Sequence, residues 1–89
     1  MQIQLISGTF SIDEAEALLT AIYKTKIAFH EQRISKENDS EEDMKHSEKK
    51  ILQLEETLRN VIIKLKTNGQ THTSLNAHIE VNTIPQLHQ

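Results

Sequence analysis

The chain contains no cysteine, which excludes disulfide frameworks, thiolate nucleophiles and sulfur-ligated zinc. Tryptophan is also absent, and the aromatic complement is Phe10, Tyr23 and Phe29. Such a set builds neither an aromatic-lined ligand pocket nor a base-stacking platform. Two glycines and one proline cannot supply a phosphate-cradling loop, and no Gly-x-Ser-x-Gly elbow occurs. No apolar run exceeds three residues, as at Val61-Ile62-Ile63, far short of the roughly 18 that span a bilayer. The first residues lack the basic and apolar regions of a signal peptide, so a cytoplasmic protein is expected. No catalytic residue, cofactor or metal ligand is expected either, and the chain reads as a non-enzyme. Glu42 and His46 are four apart, but one such pair is a solvated ion pair rather than a metal centre.

What remains is one small unit of 89 residues, 36% apolar and 26% charged, with a net charge of −3. Gln2-Ile3-Gln4-Leu5 alternates like a half-buried strand, and Ser7-Gly8-Thr9 breaks the alternation. Ser11 and Glu14 form a Ser-x-x-Glu capping box. Acids at 13, 14 and 16 complement the start of a helix. The predicted first helix covers about 12–35, without glycine or proline inside it. Its apolar residues, including Leu19, Ile22, Tyr23, Ile27 and Phe29, fill a broad arc that also holds Lys26, His30 and Arg33.

After a polar break at 36–39, Asp39 or Ser40 is placed to cap a second helix over about 40–66. Met44, Ser47, Ile51, Leu54, Leu58, Val61 and Leu65 follow at spacings of 3 and 4, a coiled-coil seam of three heptads. Asn68-Gly69 offers a left-handed stop. Residues 1–69 thus form a strand and a helical hairpin, since so short a connection makes consecutive helices antiparallel. Residues 70–89 read as a polar tail with a short strand at 78–82, ended by Pro85.

The expected architecture is mainly α: an antiparallel hairpin with short flanking strands, assembling as a four-helix-bundle homodimer because one hairpin leaves its apolar arc uncovered. The association residues are Leu19, Ile22, Tyr23, Ile27, Phe29, Met44, Ile51, Leu54, Leu58, Val61 and Leu65. Leu52 and Ile63 fall off the seam, and an exposed pair there would mark a second contact surface. His30 is a candidate pH-sensitive position, where protonation beside Lys26 and Arg33 would loosen the assembly. Function follows from association: a protein–protein interaction or assembly module with a protein partner. The alternative is a small nucleic-acid-associated regulator using Lys45, Lys49, Lys50 and Arg59 as a polyanion contact.

Gly8-Thr9-Phe10-Ser11, Lys26 to Glu31 and Ser40-Glu41-Glu42-Asp43 together resemble segments of small uncharacterised bacterial helical-hairpin proteins. The resemblance covers residues 1–66 and implies the hairpin fold, but no activity.

Overall fold

A computed structural model describes residues 1–36 and 41–85, apart from the side chains of 35, 36 and 41–43. The elements follow in the order β1 (Gln2–Ser11), α1 (Ile12–Lys36), α2 (Glu41–Thr67) and β2 (His72–Glu80). The two helices make an antiparallel hairpin, and the two strands pair antiparallel into one two-stranded sheet. No helix among the described residues is long and apolar enough to cross a membrane.

The junction of β1 and α1 is built by the capping box. The Ser11 backbone N–H donates to the Glu14 carboxylate (2.9 Å), and the Glu14 N–H donates to Ser11 Oγ (3.1 Å). Each residue thus satisfies a donor that the helix start leaves open. The backbone hydrogen bond from Ser11 holds the Glu14 carboxyl below the ordinary glutamate range, followed by that from the Ser11 hydroxyl, with a smaller attraction from His72. Next to the cap, the Ile12 N–H reaches the Thr71 carbonyl (3.3 Å), fastening the entry of α1 to the entry of β2. At the other end of the hairpin base, α2 stops where Gly69 takes φ +73°, the left-handed conformation that glycine adopts without a side-chain clash. Lys66 reaches back from the last turn of α2 to Glu16 of α1 (3.3 Å). The expected caps Asp39 and Ser40 lie outside the described residues.

Both strands are longer than the sequence alternation indicates. β1 continues through Ser7-Gly8-Thr9 to Ser11, and β2 begins at His72 rather than 78. The cause is a change of phase. Partners run Gln2↔Glu80, Ile3↔Ile79 and Gln4↔His78, then resume at Ile6↔Ala77 after a register shift that leaves Leu5 unpaired. A bulge residue reverses which parity faces which side. Ile3 before the bulge therefore shares a face with Ile6, Gly8 and Phe10 after it, opposite Ile79, Ala77, Leu75 and Thr73. The other face is wholly polar: Gln2, Gln4, Ser7, Thr9 and Ser11 against Glu80, His78, Asn76, Ser74 and His72. Gln4 holds the bulge, its Nε2 donating to the Ile6 carbonyl (2.8 Å) and to Asn76 Oδ1 (2.6 Å). On the apolar face the Phe10 ring covers Gly8, 3.6 Å from where a Cβ would stand.

The molecule measures 50 × 31 × 15 Å, a slab one element thick. Ala15, at 0% exposure, is the fully buried apolar residue among those described. The other apolar residues of the hairpin and sheet are half-covered or exposed.

The capping box and the buried Ala15 can be tested by substitution. Ser11→Ala should lower unfolding stability by about 1 kcal/mol, as loss of an N-cap does, read as an earlier urea midpoint. Because the folded-state Glu14 value lies below its unfolded one, the pair stabilises above the unfolded value and is lost as pH falls through the folded one. Glu14→Gln should therefore flatten the acid limb of helicity against pH below the ordinary glutamate range; an unchanged limb would remove Glu14 as its source. Ala15→Leu should cost about 1–3 kcal/mol by overpacking a fully buried position, again read from the urea midpoint.

Candidate association surface

The seam residues of α2 face α1, and none is fully covered by it. Met44, Ile51, Leu54, Leu58, Val61 and Leu65 are all half-buried, as are Leu19, Ile22, Tyr23 and Ile27 on α1. One helix laid beside another covers the centre line of an apolar stripe and leaves both flanks in water. Phe29 lies apart from this group. It is 56% exposed, its ring edge-on to His30 at 5.8 Å and the Arg33 guanidinium 5.8 Å from its centroid. The arc drawn from the sequence includes Phe29; in the structure it stands outside the contact with α2.

The uncovered flanks form a groove on each broad side of the hairpin, and the two differ in chemistry. On one side a cleft of about 330 Å³ is lined by His30, Arg33 and Ile34 of α1 with Met44, His46, Ser47 and Lys50 of α2. It continues into a second hollow of about 280 Å³ that shares His30 and Lys50 and adds Lys26, Tyr23, Gln53, Leu54 and Thr57. His30 is half-buried there, and Lys26, Arg33 and Lys50 line the same two hollows.

The other side holds a larger groove of about 640 Å³. Ile27, Leu58, Ile62 and Ile63 give it an apolar lining, and Lys24, Glu31, Glu55 and Arg59 contribute two charges of each sign. An apolar lining with balanced charges at its border has the composition of a helix–helix interface and not of a polyanion site.

The four residues read as a polyanion contact are not gathered into one patch. Lys50 lines the His30 cleft while Arg59 lines the opposite groove, and Lys45 and Lys49 are exposed on α2 outside both. The Glu42–His46 pair involves a side chain outside those described. Among the described residues, no three histidine or acidic side chains converge in a way that could hold a metal ion.

Sequence reasoning misses one apolar surface altogether. Across the free end of the sheet Met1 and Val81 exchange backbone hydrogen bonds, Val81 N–H to Met1 O at 2.7 Å and Met1 nitrogen to Val81 O at 3.0 Å. This brings their side chains beside Ile3 and Ile79, and all four are exposed. The signal was present as the odd-numbered parity of 1, 3, 79 and 81, but the bulge at Leu5 separates it from the even-numbered face of Ile6 and Phe10.

Leu52 and Ile63, apolar residues off the seam, are 66% and 51% exposed on the outer side of α2. Set against known proteins, the chain matches no family model, no curated protein and no solved structure.

Proposed function

We propose that the chain is a non-enzymatic interaction module that works as a homodimer, two hairpins closing into a four-helix bundle in the cytoplasm. The observation that carries this reading is the shortage of buried surface. The chain exposes 7377 Å², against about 5,300 Å² for a compact monomer of its mass. Part of the excess belongs to residues 81–85, which follow β2 and are exposed. Another part lies on the hairpin, where the seam residues are left half in water.

An interface that takes about half of that excess from each of two chains would bury about 2,000 Å² in total, the lower end of the range for obligate homodimers. Covering the groove lined by Ile27, Leu58, Ile62 and Ile63 with a second hairpin completes a second helical layer. The role of such an assembly is display. Paired hairpins hold two sheets in a fixed relation, each with a wholly polar face turned away from its apolar one, for a protein partner to contact.

Sedimentation equilibrium at micromolar concentration tests the reading. The expected mass is twice 10.2 kDa, with helical circular dichroism that falls on dilution. Leu54→Asp with Leu58→Asp should abolish association and helicity together, because an unpaired carboxylate in the seam costs several kcal/mol. A fully helical species of 10.2 kDa would refute the proposal.

A further inference from the structure

The outer side of α2 carries four exposed side chains in a palindromic order: Leu52, Glu56, Arg59 and Ile63. At about 100° per residue these positions fall within about 60° of one another, so they form one stripe along the helix. Their spacing is 4, 3 and 4, symmetric about the midpoint between Thr57 and Leu58. An apolar residue stands at each end, with an acid and a base between.

We infer that this stripe is a self-complementary contact in which α2 of one chain packs antiparallel against α2 of a second copy, about a two-fold axis passing between Thr57 and Leu58. The inference rests on the self-association proposed above and names its register. A two-fold axis there sets Leu52 against Ile63 of the other copy and Glu56 against Arg59 of the other copy, each contact occurring twice. Other registers lose this match. Sliding the helices by one turn sets an apolar side chain against a charge.

Two further observations point to a second copy as the occupant. Leu52 and Ile63 are large apolar residues left 66% and 51% exposed, on a helix face that is otherwise charged. The stripe is also continuous with the apolar groove, since Arg59 and Ile63 line that groove together with Leu58 and Ile62. Antiparallel α2–α2 packing therefore covers the stripe and much of the groove in one contact. The Glu56–Arg59 pairs at the border select register more than they add affinity.

The absence of native cysteine makes the register directly testable. Residues 52 and 63 of one helix are about 16 Å apart along its axis, too far for an intrachain disulfide. The same separation keeps residue 52 from residue 52 of the other copy, and 63 from 63. The double variant Leu52→Cys/Ile63→Cys should oxidise to a covalent dimer, while each single variant should not. In parallel, Glu56→Arg alone or Arg59→Glu alone should raise the dimer dissociation constant about tenfold by opposing like charges. The combined Glu56→Arg/Arg59→Glu chain should return it to the starting value.

Single variants that cross-link as fast as the double one, or a combined charge variant that stays weak, would overturn the register. The same holds for a double variant that stays uncross-linked while the parent chain sediments as a dimer, and in each of these cases association itself survives. A parent chain that sediments as a monomer would overturn both readings.

Discussion

The constraint on which everything else depends is the lack of a second layer. Two helices side by side and two strands side by side each bury one stripe and leave two flanks, and the described residues supply no further element to cover them. Domains normally place two layers around a common core. Here full burial is reached at Ala15, close to the junction of hairpin and sheet. Its methyl side chain is wholly enclosed there. Elsewhere the described apolar side chains are half-covered or exposed.

The parts of this fold legible in the sequence are those governed by local chemistry. The capping box at Ser11 and Glu14, the left-handed stop at Gly69 and the 3-4 seam of α2 each involve residues within one or two helical turns. The strands were less legible because their logic is non-local. Leu5 looks like a member of the Ile3 face, and only the pairing with β2 shows that it is an extra residue which lets Ile3 and Ile6 share a side. The polar-looking run from His72 to Ala77 likewise hides a strand. Leu75 and Ala77 alternate with Ser, Asn and His, and the pattern becomes decisive once Gly8 and Ile6 are known to lie opposite.

The two helices differ in legibility for a related reason. α2 packs mainly on α1, so its apolar residues form one stripe and its amphipathic character is strong. α1 meets α2 and also comes near both strands, so its apolar residues spread around the cylinder and the helical periodicity blurs. Phe29 illustrates the ambiguity. Its hydrophobicity placed it in the arc, but in the structure it packs on His30 and Arg33 of its own helix. The candidate association surface was therefore readable on α2, where Leu52 and Ile63 stand out against a regular seam. It was far less so on α1.

The order in which these elements depend on one another follows from chain entropy. β1 and β2 pair residues as far apart as Gln2 and Glu80, and an isolated two-stranded sheet is marginal in water. Closing so long a loop is unfavourable unless intervening structure already brings the ends together. The antiparallel hairpin does this by returning Thr71 to within hydrogen-bond reach of Ile12, after which strand pairing can extend outward from Ser11↔His72. The sheet thus derives its stability from the hairpin. The hairpin itself keeps half-covered seam residues along its length. In the proposed dimer a second copy would cover them, and a contact made at the outer side of α2 would then be felt at the free end of the sheet, although the two share no side chain. Assembly and folding would in that dimer be one equilibrium rather than two.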